Sequence, residues 1–593
     1  MSLALIRRWR LRNLTLLSVL AVAAFTIACG SDDEAPATAA TSTAGDGTVA
    51  TAQPQATVAA TTPPSDTTKT LTVARQDVGV PIGIPEACVP GCENEKFRMS
   101  VYENLFFTDA EGNVINRLGT GWTLAPDLSY LDITLREDAE FHQGFGLMTA
   151  SDVAWTFNNA NPTTNPDSKN DQAGEWRTMM TSMEALDEHT VRMNINTWQS
   201  HGIRHYLTPF FQSIGMHSEK VFNQYGPEGM KDQFIGTGPY EMIKWVKDDE
   251  AIIRARSTHW RQVPEVFEIK IIEVPEAAVR RAMLETGEAN IAIIDTKDEP
   301  GILAKGFKKV LARSSSLATV YGGNYWEAVR ADTQTPIENP GYDVSLPWVG
   351  EFGNDSSMDS ARQVRQAMAM VIDRAAINDS ILAGLGAPNY VHGLSINNPD
   401  HKAEWEIPVD VPGAKQLMAD AGQSGGFDVE IWTNPGQNAE IAEAIAAFWN
   451  EHLNLNVSLS TIEYAAHRPS LVAREWNQIE LRGCADSFTQ YTVDHPKGLE
   501  MTSLSEGGTI CGTTDPVSAA LTLEAFSEND IAKRREIGLE FFQRQVTEWR
   551  SPSVVETFQN VIYSPNIIAW DRPLEVGIGG GEQIAFETIK LSN

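Results

Sequence analysis

The stretch RGCADSF sets Cys484 and Asp486 two positions apart. A thiol that near a carboxylate suits three roles: a nucleophile with its partner, half of a metal site, or a binding group that makes no covalent bond. His201 and His205 lie four apart and could share one helix face, with His217 beyond, which is how a metal set begins. Neither a cysteine nor a further histidine cluster completes that set, so packing is their expected role and no metal is expected. Gly-x-Ser-x-Gly, His-Glu-x-x-His and a free Cys-His pairing do not occur. The glycines of Gly236-Thr237-Gly238-Pro239 lack the Lys-Ser or Lys-Thr that a phosphate loop needs. No catalytic residue and no cofactor is expected, and Asp486 stands as a binding group or as a cap on its own loop.

The charge narrows the partners. Against 46 Lys and Arg stand 78 Asp and Glu, a net charge of −32 over 593 residues with no long basic run, so nucleic-acid phosphates would be repelled. A hydrophobic content of 42% is ordinary for a globular protein, and at roughly 100–200 residues per domain the length predicts several folding lobes. Arg7, Arg8, Arg10 and Arg12 precede an uncharged stretch over residues 14–28 that ends in Thr26-Ile27-Ala28-Cys29. That stretch is shorter than the ~20 residues of a bilayer-spanning helix, so residues 1–28 are expected to be a signal peptide, with an uncleaved anchor as the other reading. The small residues before Cys29 resemble the lipobox of bacterial lipoproteins, which implies lipidation at Cys29. Loss of the four arginines leaves 42 basic against 78 acidic residues, a charge of −36. Residues 29–69 carry, after the cysteine, a Thr/Ala/Pro-rich segment without an aromatic residue, expected to be a disordered tether. Four cysteines remain: Cys88, Cys92, Cys484 and Cys511. An even number in an oxidising compartment favours disulfides, and pairing Cys88 with Cys92 and Cys484 with Cys511 closes the shortest loops. A bonded Cys484 has no thiolate, which weakens its reading as a nucleophile.

The elements that must hold these residues alternate between strand and helix. Residues 71–74 read as a first strand, and Leu131, Ile133 and Leu135 alternate with polar neighbours as in a half-buried strand. A strand over 269–274 precedes a helix starting at Pro275, whose Gly287 suits a C-cap, and a strand over 291–294. A helix beginning at Asp359 or Ser360 is expected to run to Gly384. A helix over 414–421 closed by Gly422, a strand over 427–431, a helix over 438–453 and a strand over 455–459 follow. Repeated βα units predict an α/β architecture with at least two separate sheets. Gly236-Thr237-Gly238-Pro239 is expected as a turn where the chain changes direction between lobes.

Five stretches in order resemble the extracytoplasmic solute-binding proteins of peptide-type ABC importers, often called family 5, which include dipeptide, oligopeptide and nickel-chelate binders. They are YENLFFTDAEGNVINRLGTGW (102–122), ITLREDAEFHQGFGLMTASDVAWTF (133–157), FIGTGPYEMIKW (234–245), VPEAAVRRAMLETGEANIAI (274–293) and VRQAMAMVIDRAAINDSILAGLGAP (364–388). With weaker matching around them they cover nearly all of residues 70–590. The resemblance implies an α/β, two-lobed periplasmic-binding-protein-like fold of type II, with mixed sheets, an inserted extra subdomain and a hinge of crossing strands between the lobes. Mapped onto this chain, the first lobe comprises 70–105, 232–322 and 530–593, the inserted subdomain 106–231 and the second lobe 323–529.

The resemblance further implies a binding protein and no enzyme. Cys484-Ala485-Asp486 matches a motif in which oligopeptide binders carry a disulfide-bonded cysteine and an aspartate that pairs with the ligand's α-ammonium. Glu103 lies where those proteins have a glutamate at the cleft edge, with an exposed surface carboxylate as the alternative. Asn324, Tyr325 and Trp326 fall near the crossing into the second lobe and could line the cleft. Trp432, at a strand end, could stack on ligand or belong to the core. The implied partners are a small-molecule ligand, first a peptide; permease and ATPase subunits on separate chains; and the membrane, through an N-terminal lipid on the outer face of the cytoplasmic membrane. The protein is expected as a monomer. Many relatives follow the aspartate with an aromatic residue and then Asp-Pro or Glu-Pro, whereas this chain has Ser487-Phe488-Thr489-Gln490. Its 15 Trp against 12 Tyr also suit sugars. An oligosaccharide or metal chelate is therefore the alternative ligand, and a secreted hydrolase or a surface chaperone or adhesin is the alternative from other classes.

Overall fold

The computed structural model describes residues 69–76, 78, 85, 98–108, 113–170, 173–209, 214–230, 233–329, 336–462, 464–483, 493, 499, 513–570 and 585–592. The chain divides into two compact units, Met1–Thr48 and Val49–Asn593, and every described residue belongs to the second. Cys29, Cys88, Cys92, Cys484, Asp486 and Cys511 lie outside the described residues.

Among the described residues, 11 strands form one sheet. In chain order they are β1 (Thr70–Arg75), β2 (Tyr240–Val246), β3 (Glu250–Ala255), β4 (Glu268–Glu273), β5 (Ile291–Ile293), β6 (Lys308–Tyr321), β7 (Ala387–Pro388), β8 (Asp428–Thr433), β9 (Asn456–Thr461), β10 (Ile479–Arg482) and β11 (Ser553–Tyr563). Their spatial order is β2-β3-β4-β1-β5-β11-β6-β10-β8-β9, with β7 alongside β11. β1 runs parallel to both its neighbours, and so does β8. Parallel pairs need crossovers. The helix Ala277–Thr286, closed by Gly287 in the left-handed conformation, connects β4 to β5, and Gln437–Leu453 connects β8 to β9. Each parallel set anchors a core: Leu71, Val73, Ile269, Ile271 and Ile291 in the first lobe, and Val429, Ile431, Ile479 and Leu481 against Ile441, Ile445 and Trp449 in the second.

The expectation of at least two separate sheets holds, since a four-stranded sheet within residues 119–195 stands apart from the 11-stranded one, but both lobes share the latter, because β6 and β11 carry one hydrogen-bonded ladder through both. β6 has 14 residues, about 46 Å at ~3.3 Å per residue, enough to serve each lobe in turn. β11 pairs with β5 at residues 561–563 and with β7 at residues 555–556. Between those points its described ladder partner is β6 alone, which meets β10 only from Ala318 onward. A two-stranded strip with a register shift between Leu311 and Arg313 therefore joins the lobes.

The helix expected from Asp359 or Ser360 to Gly384 is two helices, Asp355–Met370 and Arg374–Ile381. Asp373 breaks the run by accepting from the backbone N–H of Ala376 at 2.9 Å, which caps the second helix. The first starts four residues before Asp359 because Asn354 caps it. Its buried Arg365 donates to the carbonyls of Trp348 and Glu548, tying it to the end of the helix Ile531–Glu548. That last helix packs with Val391, Leu394, Trp405 and the helix Pro516–Ser527.

Residues 105–235 build a further core around a four-stranded antiparallel sheet of Gly119–Leu124, Tyr130–Leu135, Thr190–Ile195 and Met180–Ala185. Leu131, Ile133 and Leu135 are all buried there, as their alternation predicts. His142 pins this subdomain to the turn at residues 236–239. The imidazole is fully buried, its Nε2 2.9 Å from the Gly238 carbonyl and its Nδ1 3.3 Å from the Gly236 N–H. These partners assign a neutral ring with the proton on Nε2. Burial, helped by the Arg256 cation, pushes the imidazole down to about 3 from an ordinary value of 6.5. The unfolded chain therefore takes up a proton below about pH 6.5 that the folded ring refuses. Stability present above that pH falls by about 1.4 kcal/mol per unit as the solution is acidified toward the folded value. Urea unfolding of His142→Gln is expected to show about one proton less of pH dependence than the wild type between about pH 6 and 4. Parallel slopes in the two proteins would exclude this role.

Candidate functional site

Two polar clusters sit beside the crossing strands. In the first lobe Glu103, only 5% exposed, is held from several segments at once. Thr237 Oγ1 and Trp260 Nε1 donate to its Oε2 at 3.0 and 3.1 Å, His259 Nε2 lies 3.4 Å from the same oxygen, and Arg261 Nη2 donates to Oε1 at 3.2 Å. Arg261 also forms a charged pair with Glu587. Burial alone would raise the Glu103 carboxyl, but His259, Arg261 and the Trp260 indole outweigh it and hold the group well below the usual carboxylate range. The alternative of an exposed Glu103 is thereby overturned. Its oxygens are committed to protein donors, which makes it the centre of a joint between segments.

An open hollow of about 360 Å³ adjoins this joint, bordered by Phe106, Phe107, Arg117, Arg261 and Glu587. Glu587 Oε2 and Arg261 Nε are buried in its neighbourhood without a hydrogen-bond partner among the described residues. A carboxylate oxygen and a guanidinium N–H together can receive a group that both donates and accepts.

In the second lobe, parallel pairing sets Trp432 of β8 directly beside Glu480 of β10. Since Ile431 and Leu481 face the core, Trp432, Glu480 and Arg482 point to the opposite face. Trp432 is completely buried and stacks on His467, with ring centroids 3.9 Å apart, while Trp476 meets the same imidazole edge-on at 4.6 Å. His467 Nε2 lies 3.5 Å from Glu480 Oε1, and Arg482 Nη1 lies 3.8 Å from Oε2. The buried indole N–H groups of Trp432 and Trp476 have no acceptor among the described residues. β8 and β10 end here, and the carboxyl ends of parallel strands are where open α/β sheets take ligands. Cys484-Ala485-Asp486 begins two residues after β10 ends and lies outside the described residues.

The loop after β6 contributes differently. Asn324 is wholly buried: its Nδ2 donates to the carbonyls of Tyr321 and Trp348, and its Oδ1 accepts from Gly350 N–H. Tyr325 donates its hydroxyl to the Trp476 carbonyl at 2.8 Å, and Trp326 donates to the Gly350 carbonyl at 3.0 Å while stacking on Phe352. Burial, reinforced by Glu480, pushes the Tyr325 phenol up and keeps it neutral. These three residues shape the loop against the Trp432 cluster, and their polar side-chain atoms are spent within the protein. His201 and His205 pack edge-on at 5.2 Å, with His201 stacked on Phe526.

Sequence reasoning did not single out His259, Arg261, Glu587, His467, Trp476 or Glu480. One signal was available for Glu480 and Arg482: two charges in the strand Ile479–Arg482, all four of whose residues are buried.

Residues 113–499 match the family described as bacterial extracellular solute-binding proteins, family 5 Middle. The glutathione-binding protein GsiB of Pectobacterium atrosepticum is 25% identical over 356 residues, covering 60% of this chain and 61% of that protein. The match thus spans less than two thirds of that relative's length. The periplasmic binding protein DppA from Helicobacter pylori in complex with the peptide STSA has a TM-score of 0.63 at 17% identity, covering 88% of this chain and 98% of that one. MoaA in complex with mannopinic acid has a TM-score of 0.63 at 18% identity, covering 88% and 100%. At these identities the likeness is one of fold, the two-lobed periplasmic-binding-protein fold with mixed sheets.

Proposed function

This chain belongs to family 5 of the bacterial extracellular solute-binding proteins, and we propose from that premise that it captures a peptide between its lobes and delivers it to the permease of an ABC importer. What supports the reading is the place of Cys484-Ala485-Asp486 in the sequence, two residues after Arg482 ends β10, one of the two parallel strands whose carboxyl ends carry the aromatic and polar face of Trp432, His467 and Trp476. In this reading Asp486 receives the α-ammonium of the peptide in a charge-assisted hydrogen bond, and the indole N–H groups serve its carbonyls. Glu103, Asn324, Tyr325 and Trp326 act one step back, fixing the segments that bear the cleft. Chain capture requires no covalent step.

The remaining assignments belong to the same proposal. Residues 1–28 direct export, Cys29 carries the lipid, and the disulfides join Cys88 to Cys92 and Cys484 to Cys511. The body works as a monomer on the outer face of the cytoplasmic membrane, with permease and ATPase on other chains. We take the second lobe to extend to residue 552, supported by the packing of the helix Ile531–Glu548 with Leu394 and Trp405.

Thermal-shift and native mass-spectrometric screening of peptides, sugars and metal chelates against the wild type and Asp486→Ala tests the ligand. A peptide with a free N-terminus is expected to stabilise the wild type, and the substitution to weaken it by about 2–5 kcal/mol, a loss of at least thirtyfold. Stabilisation by an amine-free ligand, or peptide binding indifferent to the substitution, would remove the peptide assignment. A non-peptide ligand is then the second reading, favoured by the tryptophan-lined face and by the mannopinic acid in a protein of this fold.

A further inference from the structure

A second hollow lies in the second lobe, at the end of β11 remote from the first lobe. Its wall is formed by Tyr390, His392, Trp405, Ile407, Val546 and Trp549, with about 290 Å³ of empty space. Ser551 and Pro552, which also border it, immediately precede β11, whose other end pairs with β5. Over ten residues of strand that places the hollow about 33 Å from the first-lobe contact.

Its chemistry differs from that of the Glu103 joint. Among the described residues no charged side chain lines it. Aromatic and aliphatic groups supply most of the wall; of its polar side chains, Ser551 donates to Gln545 Oε1 at 3.3 Å, while His392, 1% exposed, has no hydrogen-bond partner for either ring nitrogen among the described residues. Buried polar atoms of native proteins are nearly always satisfied, and an unmade hydrogen bond at such a depth is costly. A neutral imidazole offers one donor and one acceptor, so the matching group on an occupant is a single hydroxyl or N–H. Tyr390 and Trp405 already carry the cations of Arg374 and Lys402 over their rings, at 5.4 and 4.9 Å, which disfavours a cationic occupant. A carboxylate would be buried with no cation in the wall to receive it. The aromatic side chains of Tyr390, Trp405 and Trp549 favour a ring as the occupant, with its polar substituent toward His392.

We propose that this hollow is a second ligand site, separate from the interlobe cleft, for a small uncharged aromatic molecule bearing a hydroxyl or N–H that pairs with His392. The ring lies among Tyr390, Trp405 and Trp549, and its substituent reaches the imidazole. Because Ser553 N–H donates to the Tyr390 carbonyl at 3.1 Å and Val391 bridges to Pro552, the site is built on the chain segment that enters the crossing strand β11.

Calorimetry and tryptophan fluorescence on the full chain test this with phenol, indole, toluene and benzoate as probes. Phenol and indole are expected to bind one per chain, and benzoate at least tenfold more weakly. His392→Phe should weaken phenol at least tenfold while leaving toluene within twofold, and Val546→Trp, which fills the hollow, should abolish both. Asp486→Ala should leave phenol binding unchanged, so the peptide reading and this one fail separately. The proposal is overturned by absence of saturable phenol and indole binding to the wild type at millimolar concentration, by benzoate matching phenol, by phenol binding that survives both hollow variants, or by its loss in Asp486→Ala.

Discussion

Glu103→Gln is expected to lower stability at pH 7 by about 3–5 kcal/mol, measured by urea unfolding, the usual cost of breaking a buried ion pair from one side. The substitution leaves the Arg261 guanidinium with Glu587 as its remaining carboxylate, and gives the Trp260 indole and Thr237 hydroxyl a weaker acceptor. The effect has a definite pH signature. A carboxyl held below its ordinary value of 4.5 contributes stability that is complete above that value and lost as pH falls toward the folded one. At about pH 3 the wild type has therefore given up about 2 kcal/mol of the Glu103 contribution, while the glutamine variant has nothing there to titrate. The gap between the two proteins should narrow by that amount. A gap of equal size at both pH values would show that the charge of Glu103 is immaterial.

Gly236→Ala is the second large effect, and its cause is steric. A Cβ built on Gly236 would stand 2.1 Å from the Val101 carbonyl oxygen and 2.8 Å from the Tyr102 ring. Backbone cannot swing aside as a long side chain can, so residues 100–103 and the turn must separate. That same backbone carries Glu103, and the turn carries the carbonyl groups of Gly236 and Gly238 that meet His142. A loss of about 3 kcal/mol is expected from the overpacking. Gly121→Ala is the control: nothing lies within 4 Å of its Cβ position, and its stability should stay within about 0.5 kcal/mol of wild type. Equal destabilisation of both variants would point to glycine loss in general and away from the contact with Val101.

What the sequence discloses depends on the range of the interaction. β1, β4, β5 and the helix closed by Gly287 lie within a residue or two of expectation, since apolar periodicity and a left-handed cap are local properties. The break between Met370 and Arg374 was hidden because Val371 and Ile372 continue the apolar face across it, while the cap on Asp373 competes with helix continuation only once the second helix has somewhere to pack. Glu103 illustrates the long-range limit. Its partners lie 134 to 158 residues away, and Arg261 reaches a further 326 residues to Glu587, so an isolated glutamate in an apolar stretch could be placed equally well inside or outside. The burial of Trp432 has a similar cause: it follows from the register that sets it against Glu480, which no single strand reveals. The role of Cys484-Ala485-Asp486 is an expectation from resemblance, since these residues lie outside the described ones.

The strip formed by β6 and β11 has a mechanical consequence. Bending two paired strands within their plane stretches or compresses the hydrogen bonds of the ladder, whereas bending or twisting them out of plane spreads small φ and ψ changes over many residues. The strip is therefore stiff in one direction and compliant in the perpendicular one, like a leaf spring. Both its strands continue into the packed sheet at either end, so each lobe turns as a block about the strip. Under the peptide-capture proposal, the angle between the lobes is then all that a permease would need to read.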